Sequence, residues 1–491
     1  MLKINNIVVK NSVFSVLQIV LSTLSYVVIY YLILHKLGKT ELGVWSIITS
    51  LPIAISVFGS GVSGCILRYI PVYNVQKDKL AFNEIIFNGF VFNIAFGGLI
   101  VVLGYLFSSQ ILRFLFSNSE LPVRYILLFR ISLLTFFISF ITSVILYAID
   151  GLQLIFRRNK IIIFSSSIFC VVASVFIYYW ELKGILFAQL IQSILLLIFA
   201  IRVLIKVELF DHQLFRFNKI YINLFLTYGQ SFQLISVTIL IFDPITKYFL
   251  NKYFNLSTVG VYDLVSRAVT QIRLIIVSAI QVIIPLVSKN NEERGLDVNA
   301  MFSKTNRGAS LLSFILFSTL ICISVIIIGF FDRGNINQYL FILILLCVAY
   351  HFNIMASTAY SILLGLGKLK SIIISHMLSS ILNIVIFILL GDYLMDNITV
   401  LPTALAIAIS SGYLICTFKR DFGISYVLVS KSDFIIKVVS LFTIILSVLF
   451  VLFQVNMFLW IILFVVHAIV ILRLVLKNDF FVNLINKILN K

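Results

Sequence analysis

Residues 161–206 read IIIFSSSIFCVVASVFIYYWELKGILFAQLIQSILLLIFAIRVLIK, and this stretch decides the fold. Two apolar runs, Ile161–Trp180 and Gly184–Ile205, are parted only by Glu181, Leu182 and Lys183. At about 1.5 Å per residue, each is long enough to cross roughly 30 Å of hydrocarbon as an α-helix. Arg157, Arg158 and Lys160 precede the first run and Lys206 follows the second, so the basic flanks lie at one side of a membrane hairpin.

The same pattern extends outward in both directions. Upstream runs are Ser12–His35, Leu42–Ile66, Glu84–Ser108 and Arg124–Ile149; downstream ones are Ile222–Leu250, Thr258–Ile284, Thr305–Phe330, Ile336–Leu364, Ser371–Leu390, Ile398–Thr417, Phe434–Phe453 and Met457–Leu476. The chain of 491 residues is 61% hydrophobic and 11% charged, far from the composition of a soluble domain. The expected class is all-α, a polytopic transmembrane bundle of about fourteen helices. The net charge of +18 is spread through short loops, which argues against a nucleic-acid partner and for topology signals. Lys and Arg crowd the segments that are cytoplasmic if the N-terminus is inside. The outer segments hold only Lys36, Lys39, Arg113, Arg124, Lys183, Lys252 and Arg333. Both termini are therefore expected in the cytoplasm, with the first span retained because no small-residue cleavage site follows it.

Internal repetition organises the chain further. Ile70-Pro71 recurs as Ile284-Pro285 and Gly151-Leu152 as Gly365-Leu366, each 214 positions later (71 to 285, 151 to 365), and Gly43-Val44-Trp45 recurs as Gly260-Val261-Tyr262. A parallel duplication is the simplest account. It predicts two pseudo-symmetric six-helix lobes, residues 1–206 and 207–420, followed by two additional helices and a cytoplasmic tail over 421–491.

Soluble-site chemistry is scarce. Cys65, Cys170, Cys322, Cys347 and Cys416 fall in apolar runs without metal-ligand spacing, and no H-E-x-x-H, C-x-x-C or G-x-S-x-G occurs. Gly365-Leu366-Gly367-Lys368 lacks the first glycine of a phosphate loop, since Ile362 stands there. No cofactor, metal or enzymatic activity is expected. The outer loops are too short for a membrane polymerase or glycosyltransferase.

Charge inside the membrane is the informative signal, because an isolated ionised side chain at the bilayer centre costs about 2.5–3.5 kcal/mol on insertion scales. In the span from 258, Asp263, Ser266, Arg267, Thr270, Arg273, Ser278 and Gln281 share roughly half the helix circumference, so that helix is expected to line a wet cavity. In the span from 222, Gln233, Ser236, Asp243 and Lys247 cluster on one face, with Asp243 and Lys247 four apart. In the first span, Asn11, Ser15, Gln18, Ser22 and Ser25 share a face, which fits helix packing as well as ligand binding. Asp243–Lys247 and Asp263–Arg267 suit charge pairing or ion coupling. Arg273 has no carboxylate one turn away. His35, His351, His376 and His467 are read as packing or interfacial residues, and Arg130 as snorkelling.

Leu37-Gly38 with Gly43-Val44-Trp45, and Asp243 with Gly260-Val261-Tyr262 and Pro285-Leu286-Val287-Ser288, resemble the polysaccharide-transporter branch of the multidrug/oligosaccharidyl-lipid/polysaccharide flippase superfamily. The resemblance covers roughly residues 5 to 420. It implies alternating access and a substrate of oligosaccharide on undecaprenyl pyrophosphate, an O-antigen or capsule repeat unit, moved from the inner to the outer leaflet of a bacterial cytoplasmic membrane. With no ATP site, an ion gradient or the membrane potential would drive it. Substrate binding would fall to Arg273, Arg267 and Lys247 for the anion and to Gln18, Gln233 and Gln281 for hydroxyls. The partners implied are the lipid-linked glycan, membrane lipids, and the glycan polymerase and glycosyltransferases. The first span lacks the Asp and Pro that proton-coupled drug exporters of the superfamily can carry. Multidrug export and a non-transporting scaffold remain the other readings.

The orientation is directly testable. A single cysteine at position 158 is expected to resist an impermeant thiol reagent in intact cells and to react after permeabilisation, whereas one at 252 reacts in intact cells. Labelling of position 158 from outside would overturn the topology.

Overall fold

The computed structural model describes residues 2–56, 60–116, 123–281, 283, 287, 297–331, 336–396, 398–424, 431–453, 457–479 and 482; side chains at 2–13, 16, 53–56, 60, 228–241, 329–331, 431, 451–452 and 457 fall outside the description. All regular structure among these residues is helical. In order the helices are α1 (Leu2–Lys36), α2 (Gly38–Ser56), α3 (Ser60–Gln76), α4 (Lys79–Leu106), α5 (Ser108–Leu115), α6 (Val123–Gly151), α7 (Ile155–Ile205), α8 (Lys219–Tyr253), α9 (Leu256–Ile280), α10 (Val298–Phe331), α11 (Ile336–Gly365), α12 (Lys370–Leu390), α13 (Leu401–Phe422), α14 (Lys431–Leu452) and α15 (Met457–Lys477). Among the described residues ten helices are long and apolar enough to cross a membrane, so the expected count of about fourteen is met in part. One of the ten, α7, is 51 residues long and is two arms: Glu181 leaves helical geometry at φ 51°, ψ −135°. Gly184 allows the bend, because a Cβ there would lie 2.4 Å from the Phe176 carbonyl oxygen. Outward faces stay apolar, with Leu103, Val171, Ile388 and Phe442 exposed as lipid-facing residues would be.

The chain divides into two compact units, residues 1–260 and 261–491. In the first, α1 and α6 pack on α7, and α8 packs on α2, α3 and α4. The core at their meeting joins Ile66, Phe82, Val144, Ala148, Leu204 and Phe225. In the second, α13 lies against α11 and α12, while α10 contacts α11, α14 and α15.

Local chemistry sets the helix ends. Asp78 caps α4 by accepting from the Ala81 N–H, Asn218 caps α8 by accepting from Ile220, and Gly423 closes α13 in a left-handed conformation behind Lys419 and Arg420. Within the first unit the segment before α8 is held by two asparagines of α4. Asn83 donates to the Leu209 carbonyl (2.8 Å) and accepts from the Asp211 N–H (2.9 Å), while Asn88 donates to Arg216 (2.9 Å) and accepts from Asn218 (2.9 Å). Each amide thus mimics a backbone partner for an irregular segment.

The repeat landmarks fall on matching turns. After Gly151, the N–H groups of Leu152, Gln153 and Leu154 donate to the carbonyls of Ala148, Asp150 and Ile149. After Gly365, those of Leu366, Gly367 and Lys368 donate to Ile362, Leu364 and Leu363. The middle residue of the three is left-handed in both turns, Gln153 at φ 59° and Gly367 at φ 72°. Ile70 and Pro71 pack against Gly151, where a Cβ would lie 3.0 Å from Ile70. Pro285 lies outside the described residues. The third landmark pair meets within the first unit: a Cβ on Gly43 would lie 1.9 Å from the Leu256 carbonyl oxygen, and one on Gly260 would lie 2.6 Å from that of Lys39. The contact is reciprocal, each glycine taking the backbone four residues before the other.

In the second unit one ion pair fastens the C-terminal helices. Arg307 of α10 grips Asp433 of α14 with Nε–Oδ2 at 2.5 Å and Nη2–Oδ1 at 3.0 Å, and Asn478, just past α15, donates to the same carboxylate at 2.9 Å. His467 adds a second link, within 3.3 Å of Ser318 and Thr319 on α10 and 3.1 Å from Thr443 on α14.

Two stability outcomes follow. Gly43→Ala is expected to lower the thermal midpoint of the purified protein in detergent, an overpacking cost of about 1–3 kcal/mol. Gly64→Ala, facing open space, leaves it unchanged; equal midpoints for the two would contradict the close crossing. Asp433→Ala should also destabilise, by somewhat less than the about 3–5 kcal/mol of a fully buried pair, since Arg307 is a third exposed. The double variant Arg307→Met/Asp433→Leu should recover part of the loss, and no recovery would show that the charges themselves are not what holds the helices.

Candidate functional site

The charged residues expected on α8 and α9 form two neighbours-in-helix pairs. On α8, Lys247 Nζ lies 2.8 Å from Asp243 Oδ2, with the lysine buried and the carboxylate half exposed. Pro244 has no N–H to close the helix beside this pair. On α9 the order is reversed: Asp263 is buried, and Arg267 reaches outward with Nε 3.1 Å from Oδ2. The spacing of four places both partners on one face, so each charge is compensated within one helical turn. Both pairs carry further interactions of their members, and their geometry suits local neutralisation as well as ion coupling.

Arg273 differs. Among the described residues it has no carboxylate partner; its Nε donates to Asn353 Oδ1 of α11 at 2.6 Å. Asn353 is oriented in turn, its Nδ2 donating to Ser411 Oγ of α13 at 3.3 Å. The guanidinium carbon lies 6.0 Å from the Tyr350 ring centroid. On the neighbouring helices the rings of Tyr360 of α11 and His376 of α12 meet edge to face at 6.1 Å. Anchoring through Nε leaves the two terminal nitrogens free of partners among the described residues. Those nitrogens form the fork that grips a carboxylate or phosphate through two parallel hydrogen bonds. All these residues belong to the second unit.

The remaining expected residues are more dispersed. Gln18 is half-buried on α1, its Nε2 3.4 Å from Ser22 Oγ. The side chain of Gln233 lies outside the described residues. Gln281 is exposed at the end of α9. Within the second unit the structure therefore gathers Asp263, Arg267 and Arg273 along one helix. Arg130 donates through Nε to Ser108 of α5 (3.3 Å), with its guanidinium carbon 3.9 Å from the Tyr105 ring centroid. His351 hydrogen-bonds Ser313 at 2.7 Å, and His35 stacks on Tyr31, both packing arrangements. Asn353 escaped the sequence reading; its signal is a carboxamide in the middle of an otherwise apolar span. No group of three His, Cys, Asp or Glu side chains comes together to hold a metal among the described residues.

No protein-family model matches the chain, and no curated protein does. Solved structures do. The chain superposes on a lipid II flippase, MurJ, in an inward closed conformation, with a TM-score of 0.75 and 17% identity over 97% of this chain and 99% of that one. An inward-facing multidrug resistance MATE transporter of the MOP superfamily matches with a TM-score of 0.70 and 14% identity, over 81% of this chain and 94% of that one. A MOP superfamily transporter from Pyrococcus furiosus matches at 0.63 and 13%, over 85% and 95%. The fold is that of the polytopic MOP-superfamily transporters.

Proposed function

We propose that this chain is a flippase for a polyprenyl-pyrophosphate-linked oligosaccharide, an O-antigen or capsule repeat unit, which it carries from the inner to the outer leaflet of a bacterial cytoplasmic membrane. The observation that carries the reading is Arg273: a guanidinium on α9, anchored by Asn353 through Nε and presenting its terminal fork. A cation without a carboxylate inside an apolar span is costly to insert and suits an anionic ligand that compensates it. Pyrophosphate is such an anion, and it cannot cross hydrocarbon unaided. Arg267 and Lys247, each already neutralised, are the secondary cations; Asp243 and Asp263 serve as their counter-ions or as the group that couples to an ion gradient. The movement is alternating access of two six-helix lobes, 1–206 and 207–420, with residues 421–491 added at the C-terminus and both termini inside. The likeness to a lipid II flippase supports the substrate class, because a fold that houses one lipid-linked glycan transporter is suited to another. The likeness to a multidrug transporter supports a second reading, export of amphipathic drugs.

Arg273→Ala is expected to reduce surface glycan in complemented cells at least about tenfold, while protein in the membrane stays near wild type because a removed charge eases insertion. Asn353→Leu should cause a smaller loss through misorientation of the guanidinium. Full glycan output from Arg273→Ala would overturn the reading, and a gain in drug susceptibility with unchanged glycan on deleting the chain would favour drug export.

A further inference from the structure

The first unit holds a cavity of about 300 Å³ lined by α1, α2, α6 and the second arm of α7. That volume is at the small end of ligand cavities, room for a single ring-sized moiety. Its wall is largely apolar, with Pro52, Phe136 and Leu196, but is studded with hydroxyls and carboxamides and carries no carboxylate, amine, guanidinium or imidazole. Hydroxyls come from Thr49 of α2, from Ser132, Thr135 and Ser139 of α6 and from Ser193 of α7, and carboxamides from Gln189 and Gln192 of α7.

The hydrogen-bond capacity of this wall is divided in a telling way. Thr49, Ser132 and Thr135 each spend their hydroxyl proton on a carbonyl of their own helix, at 2.8, 2.7 and 3.1 Å. Their lone pairs remain as acceptors. Gln192 donates weakly to Ser166 Oγ at 3.4 Å, and Gln189 makes no hydrogen bond among the described residues. The carboxamides therefore supply donors, and Gln189 an acceptor as well. Tyr26 and Phe136 add two aromatic rings. Helix packing through small polar residues accounts for the back-bonded hydroxyls but not for a half-buried, unpartnered glutamine beside an open cavity, which is unfavourable unless a ligand or water meets it.

A ligand that matches alternating donors and acceptors without net charge, and has a C–H face to lie on an aromatic ring, is a sugar. We propose that this pocket is a subsite for one neutral monosaccharide ring, distinct in chemistry from the cationic α9, and that it reads the hydroxyl pattern of the carried glycan. The inference rests on the flippase reading for its biological meaning, but binding can be measured without transport.

The test uses the purified full-length protein in detergent. Free glucose, galactose and N-acetylglucosamine are titrated, with glucuronate and a lipophilic cation, tetraphenylphosphonium, as charged counterparts, and binding is read from saturation-transfer NMR and the shift in thermal midpoint. At least one neutral sugar is expected to bind in preference to both charged probes. Gln189→Leu should weaken it at least about tenfold, and the isosteric Thr135→Val, which keeps the shape, several-fold. Absence of sugar binding to the wild type, or equal affinity in Gln189→Leu and Thr135→Val, would overturn the subsite. So would Gln189-dependent binding of the cation in place of sugar. If sugar binding behaves as expected while deletion of the chain leaves surface glycan intact, the pocket stands and the flippase reading falls.

Discussion

A charge in hydrocarbon has no water to solvate it, so each ionised side chain must find its compensation in the protein or in what the protein carries. This constraint explains most of the polar structure. Asp263 is buried because Arg267 is one turn away, Lys247 because Asp243 is, and Asp433 because Arg307 and Asn478 converge on it. Arg273 is the exception among these cations, satisfied at Nε by a neutral amide and nowhere by a carboxylate among the described residues. The other cations are neutralised where they stand; the open fork of Arg273 is what the proposed function assigns to an anionic ligand.

The same logic separates two kinds of polar surface. The second unit offers a positive fork held by a chain of amide and hydroxyl groups through Asn353 and Ser411. The first unit offers a neutral wall of hydroxyls and carboxamides. A lipid-linked glycan has both counterparts, an anionic pyrophosphate and uncharged sugars, whereas an amphipathic drug cation has neither.

What was legible in the sequence is what depends on short separations. Helices followed from apolar length, and the Asp243–Lys247 and Asp263–Arg267 pairs from a spacing of four. The turns after Gly151 and Gly365 could be equated at a distance of 214 because each uses the same local hydrogen bonds. The bend of α7 fell where Glu181 and Lys183 interrupt two apolar runs. What was illegible depends on long-range contact. Asn353 reads as an ordinary packing amide until α9 delivers Arg273 to it, and Asn83 and Asn88 show no pattern until residues 209–218 fold back on them. Asp433 looks like a solvated loop acid, since nothing local announces an arginine 126 positions away. The neutral pocket was equally hidden, because its hydroxyls and amides are scattered over three helices and each is unremarkable alone.

The activity proposed for the chain is movement of a lipid-linked glycan between leaflets. The direct measurement is transbilayer movement in proteoliposomes holding the purified chain and a fluorescent polyprenyl-pyrophosphate-linked oligosaccharide, scored by the fraction open to a membrane-impermeant quencher as an ion gradient is applied. Wild-type protein is expected to make the inner-leaflet pool accessible, and Arg273→Ala, reconstituted to the same density, to leave it protected. Movement by both proteins alike, or movement of a lipophilic cation in place of the glycan, would contradict it.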